Sequence, residues 1–201
     1  MGVTRERFES GLTYDQWKAQ MTRNQERHNA NEAGLKLSDD DLKAFKSLKK
    51  PVNVLAIGED WCGDVIANLP IVGKIAQESG TLNLRVFLRD QNEDLMDQFL
   101  KDGKYKSIPA VVFFDDNFNE LGRWIERPDS VTKLREEKRQ ELYQKNPEFG
   151  SPDEPVDKLP EQDRIRLTQA IGQMRDETKP FADGEVVREM REIVEKIAAS
   201  Q

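Results

Sequence analysis

The sequence predicts an α/β protein: a mixed sheet flanked by helices, with helical additions at both ends. Three observations carry this expectation. Val52-Asn53-Val54-Leu55-Ala56-Ile57 is a short apolar, β-branched run of the kind that forms a buried strand. Leu82, Leu84, Val86 and Leu88 alternate over a second strand, and a helical pattern separates the two. Ala110-Val111-Val112-Phe113-Phe114, the turn residues Asp115-Asp116-Asn117 and the run Leu121 to Ile125 read as a hairpin. The first two strands, joined by a helical crossover, should be parallel and the last pair antiparallel, in a sheet of four or five strands.

The other elements follow in order. Thr13 or Asp15 caps a helix carrying Trp17 and Met21 that ends near Asn31 and Gly34. Ser38-Asp39-Asp40-Asp41 is an N-cap with first-turn acids that suit the helix dipole, and Leu42, Phe45 and Leu48 follow at helical spacing. A helix over 64–78 places Ile66, Leu69, Val72, Ile75 and Ala76 on one face, with a kink expected at Pro70. Asn92 or Glu93 begins a helix carrying Leu95, Met96, Phe99 and Leu100 that stops at Gly103. A long charged helix starts near Asp129 or Ser130 and fades before Pro147. Pro147, Pro152, Pro155 and Pro160 mark a linker or surface loop, and two helices follow, carrying Ile165, Leu167, Ile171 and Met174, then Val186, Met190, Ile193, Val194 and Ile197. The expected division is a helical extension over 1–50, a sheet domain over 51–146, and a Pro-rich linker with C-terminal helices over 147–201.

Composition narrows the function. The 201 residues carry a net charge of -7 and a mean hydropathy of -0.78. No basic stripe is present to hold phosphates, so nucleic acid is not an expected partner. No apolar run approaches a membrane span and no signal peptide is evident, so a cytoplasmic protein away from membranes is expected. Glu6 stands where a myristoylated Gly2 would want Ser or Thr. One cysteine precludes an intramolecular disulfide, and with His28 as the single histidine a zinc site is not expected. No metal and no cofactor are expected: the acidic clusters read as a helix start and a turn, and Gly58 and Gly63 match no phosphate-loop fingerprint. Arg89-Asp90-Gln91-Asn92 follows the second parallel strand, at the carboxyl end where α/β sites gather, and is a candidate pocket lining beside its turn chemistry.

Cys62 lies between the first strand and its helix, in Ile57-Gly58-Glu59-Asp60-Trp61-Cys62-Gly63-Asp64-Val65. A sulfur at a helix N-terminus meets backbone N–H groups and the positive end of the macrodipole, which favour the nucleophilic thiolate. The nearby acids Glu59, Asp60 and Asp64 oppose that ionisation.

Trp61-Cys62-Gly63-Asp64-Val65, set against Trp-Cys-Gly-Pro-Cys, and Ile108-Pro109, set against a cis-proline, together resemble the thioredoxin superfamily over about residues 50–145. The wider chain looks like bacterial thioredoxin-like proteins with helical additions at both ends. The resemblance implies Cys62 as the catalytic nucleophile, Ile108 and Pro109 as a substrate clamp, and Trp61, Gly63 and Asp64 as the loop around the sulfur. It also departs from the family pattern. Val65 replaces the resolving cysteine, Asp64 replaces the proline, and Ala56 stands where thioredoxins carry a buried acid six residues before the cysteine. The dithiol-disulfide reductase activity is therefore not carried over.

Two functions stand open. One is a monothiol oxidoreductase that forms mixed disulfides with protein or low-molecular-weight thiols. The other is a redox-inactive interaction module, with Cys62 kept as a small half-buried hydrophobe. A homodimer, a disulfide between two copies or a peroxide-sensing thiol are further options.

Overall fold

The computed structural model describes residues 2–201. Its centre is a four-stranded mixed sheet in the order β2-β1-β3-β4, built from β1 (Val52–Gly58), β2 (Leu82–Leu88), β3 (Ala110–Phe114) and β4 (Glu120–Ile125). β1 pairs parallel with β2 from Val52 opposite Leu82 to Gly58 opposite Leu88. β1 and β3 are antiparallel, as are β3 and β4. Every residue of β1 is buried, as expected of a central strand covered on both faces. The hairpin turn is closed by Asp115, whose carboxylate accepts the N–H groups of Asn117 and Asn119 at 2.8 and 2.9 Å.

Helix α1 (Arg5–Glu9) starts at Thr4, whose hydroxyl accepts the Arg7 N–H. Thr13 caps α2 (Tyr14–Ala19), with Gln16 reaching back in a capping box. The single helix expected from Thr13 or Asp15 to Gly34 is divided into α2 and α3 (Gln25–Gly34). Between them the chain bends at Thr22, Arg23 and Asn24, with Asn24 in the left-handed region at φ 56°. Ser38 and Asp41 form the cap of α4 (Asp39–Lys46). Leu12 exchanges two backbone hydrogen bonds with Val86, so the open edge of β2 is partly covered by the N-terminal segment.

Helix α5 (Gly63–Ser79) runs unbroken through Pro70. Proline removes the N–H that the Ile66 carbonyl would accept, and the Asn31 side-chain amide donates to that carbonyl instead, at 2.9 Å. A polar residue from α3 thus satisfies the bond that Pro70 deletes. The helix expected up to Gly103 is the short α6 (Glu93–Met96). Beyond it Gln98 and Phe99 bond back to Leu95 and Met96 as i→i−3 turns, which keeps Leu95, Met96 and Phe99 buried without continuing the helix.

Helix α7 (Asp129–Lys145) is followed by turns around the prolines and by α8 (Glu161–Ser200), one helix where two were expected, with Pro180 inside it. Two compact units result. One holds the chain up to Arg127 together with Val186–Gln201, and the other is Pro128–Glu185. The first contains the sheet and the main core, to which Val186, Met190, Val194 and Ile197 of α8 contribute. Trp124 Nε1 of β4 donates to Glu189 there at 2.7 Å. The second has its own small core around Tyr143, Phe149 and Leu167. Among the described residues no helix is long and apolar enough to cross a membrane.

Candidate functional site

β1 ends at Gly58, and Glu59–Cys62 lead into α5. Gly58 is required by close approach, since a Cβ there would lie 2.9 Å from Val65 Cγ1. Val65 is fully buried against it. The residue in the place of a resolving cysteine is therefore a packing element between strand end and helix start.

Cys62 is half-buried and is the N-cap of α5, with extended backbone at φ -85°, ψ 120°. The Ile108–Pro109 peptide bond is cis, and Pro109 is buried directly before β3. The Cys62 thiol donates to the Ile108 carbonyl across a 3.6 Å contact. Two motifs 46 residues apart thus meet at the sulfur. Trp61 is 41 % exposed, with the Arg89 guanidinium 4.7 Å from its ring centroid. Gly63 is exposed and Asp64 half-buried.

The electrostatics differ from the expectation of a helix-activated thiolate. Burial pushes the Cys62 thiol up, and the amides of Val65 and Asp64 do not compensate for it. The Asp64 carboxylate raises the thiol further, while Arg89 pulls it down. Of the two other acids expected to oppose the thiolate, Asp60 is engaged elsewhere. Asp60 Oδ2 accepts the N–H groups of Thr22 and Arg23 at 2.7 and 3.0 Å, and its carbonyl accepts from Asn24 Nδ2 at 2.8 Å. This clamp holds the bend between α2 and α3 onto the Cys62 loop. Glu59 accepts the Asp90 N–H at 2.8 Å. Ala56, fully buried in β1, leaves no proton-handling group at that position.

Arg127 was not legible as part of the site, because it follows a hairpin and precedes a proline with no motif around it. In the structure it pairs with Asp64 through Nη1 and with Glu126 at 3.0 Å. Glu126 donates its N–H to the Pro109 carbonyl at 2.7 Å, and Asn68 of α5 donates to the Glu126 carbonyl at 2.9 Å. Residues 126 and 127 thereby tie the cis-proline loop to the first turns of α5. Asp64→Asn removes the carboxylate that raises the thiol. Its expected result is an alkylation rate at neutral pH higher by roughly two- to fivefold, measured with iodoacetamide; an unchanged or lower rate would show that Arg127 already cancels that charge.

Among the described residues no three of His, Cys, Asp and Glu are grouped as a metal ion would need.

A thioredoxin family model matches residues 11–140. Among solved structures, an HIV epitope-scaffold superposes with a TM-score of 0.64 at 18 % identity, covering 96 % of this chain and 98 % of its own. A protein of unknown function from Pseudomonas aeruginosa, PA1234, gives a TM-score of 0.59 at 21 % identity, covering 86 % of this chain and 95 % of its own. At these identities both likenesses show the fold alone. No curated protein matches the chain.

Proposed function

The chain belongs to the thioredoxin family, and from that premise we propose that it is a monothiol thioredoxin-like protein whose Cys62 forms mixed disulfides. The observation that carries the reading is the 3.6 Å approach of the lone sulfur to the Ile108 carbonyl, at the start of a 17-residue helix. In the reaction Cys62 loses its proton to solvent and attacks one sulfur of a disulfide. A new S–S bond forms, the old one breaks, and the second sulfur departs as a thiolate that takes up a proton. Val65 supplies no second thiol, so an external thiol must attack the mixed disulfide to release Cys62. Low-molecular-weight or protein thiols are the proposed partners and the cytoplasm the proposed location. Trp61, Gly63, Asp64, Ile108 and Pro109 are proposed to line the bound substrate, and a homodimer is a further proposal.

The raised thiol sets the pH dependence. Only the thiolate reacts, so modification by a small disulfide is slow at pH 7 and is still climbing with pH beyond about 8.5, where a free cysteine levels off. Mass spectrometry should find one adduct, absent from Cys62→Ser. An absent adduct even at alkaline pH would overturn the reading.

A second reading is favoured by the same burial: a thiol held protonated and donating to Ile108 is also what a redox-inactive interaction module would keep. It predicts that Cys62→Ser leaves function unchanged.

A further inference from the structure

A cavity of about 290 Å³ lies beside the residues that lead into Trp61 and Cys62, at the carboxyl ends of the parallel strands β1 and β2. That is where open α/β sheets take ligands. Trp17, Met21 and Leu88 give it apolar walls, and Gln20 and Gln91 add side-chain amides.

Glu59 decides what the cavity accepts. It is 8 % exposed, yet its carboxylate has one hydrogen bond, from the Asp90 N–H to Oε1. Oε2 accepts no hydrogen bond among the described residues and is not sealed off from solvent, so it is open to the cavity. An ionised carboxylate has room for about four such bonds, so Oε2 can accept from a donor that enters the cavity. Arg89, close in sequence to Asp90, does not serve: its guanidinium pairs with Asp90 at 2.7 Å and covers Trp61. Burial pushes the Glu59 carboxyl up, with Asp90 and Asp60 adding to the rise while the Asp90 N–H and Arg89 oppose it. Asp60, the other acid of the lining, is engaged by Thr22 and Arg23.

We propose that this cavity is a subsite for the ammonium group of a low-molecular-weight, amine-bearing disulfide, with Glu59 as its counter-ion. The substrate class rests on the mixed-disulfide reading of Cys62; the ammonium site itself does not. A short alkyl stem fits the apolar walls, and the amide oxygens of Gln20 and Gln91 can accept the remaining N–H donors. The volume lies at the lower end for ligand sites, which suits a small cation rather than a folded segment. A carboxylate-bearing disulfide would meet Glu59 and Asp60 as like charges.

Two measurements on the full chain test this. In Cys62→Ser, butylammonium is titrated while the tryptophan indole NMR signals are followed. The expected result is a saturable shift of the Trp17 indole, lost in Glu59→Gln. Gln91→Lys, at an exposed position on the rim, should abolish it too by placing a tethered ammonium in the cavity. Absence of a saturable shift, or a shift that survives both substitutions, overturns the subsite.

In the chain with Cys62 intact, mixed-disulfide formation is compared for cystamine and bis(2-hydroxyethyl) disulfide, each normalised to its rate with a free thiol. Cystamine should be favoured by roughly tenfold, and the preference should vanish in Glu59→Gln. Equal normalised rates in the unsubstituted chain overturn the proposed substrate class. Reaction with neither overturns the thiol reading and that substrate class together, while the ammonium site is judged by the butylammonium titration.

Discussion

Trp17→Ala should lower the stability of the fold by about 3–5 kcal/mol, the range for emptying a buried aromatic site. For a chain of this size that is a fall in melting temperature of about 10 °C. Trp17 is 1 % exposed. Its ring stacks on Tyr14 with centroids 6.4 Å apart and meets the buried His28 at 5.3 Å. The Tyr14 hydroxyl and His28 Nε2 share a 3.0 Å hydrogen bond, and burial holds Tyr14 above and His28 below their ordinary ranges, so both are neutral. Tyr14 in turn lies so close to α5 that a Cβ at Gly73 would sit 2.3 Å from its ring. The N-terminal helices are thus packed into the same core as the helix that carries Cys62. Thermal unfolding followed by circular dichroism checks this. A fall of less than about 2 °C would mean that the first fifty residues sit on the domain without stabilising it.

Val65→Cys should change the fate of the mixed disulfide. Cys62 and residue 65 are three apart at the N-terminus of α5, on the same side of its first turn. A thiol at 65 would attack the mixed disulfide within the molecule, release the external thiol and leave a 62–65 disulfide. The lifetime of the adduct with a small disulfide should shorten at least about tenfold, since an intramolecular thiol acts at high effective concentration. The substitution trims a fully buried side chain, at a cost of about 1 kcal/mol. Non-reducing mass spectrometry distinguishes the adduct from the internal disulfide. An adduct as long-lived as in the unsubstituted chain would show that residue 65 is held against Gly58 too firmly to reach the sulfur.

Much of the fold was legible because it rests on local patterns. The period-two apolar pattern of β2, the continuous apolar run of β1 and the Asp115 turn each carry their own signal, and all appear where expected. Ser38 and Thr13 were readable as caps for the same reason. Two of the errors fell where distant residues intervene. One expected helix is broken at residues 20–24 because Asp60, nearly forty positions away, binds the bend. Pro70 does not interrupt α5 because Asn31 replaces its lost bond. The helix after Asn92 is a different case, giving way to local i→i−3 turns at Gln98 and Phe99 while Leu95, Met96 and Phe99 stay buried.

The candidate site divides in the same way. Cys62 at a helix start could be located from the sequence by itself, whereas the missing partner at Val65, the absent acid at Ala56 and the role of Pro109 came from its resemblance to the thioredoxin superfamily. Tertiary structure alone decided what surrounds the sulfur. It turned Asp60 towards Thr22 and away from the thiol, paired Asp64 with Arg127, and set Glu59 in the wall of a cavity with one carboxylate oxygen open to it. It also decided the sign of the thiol shift. The helix N-terminus is a local feature that favours the thiolate, whereas desolvation depends on every element packed around Cys62, and here desolvation is the larger effect.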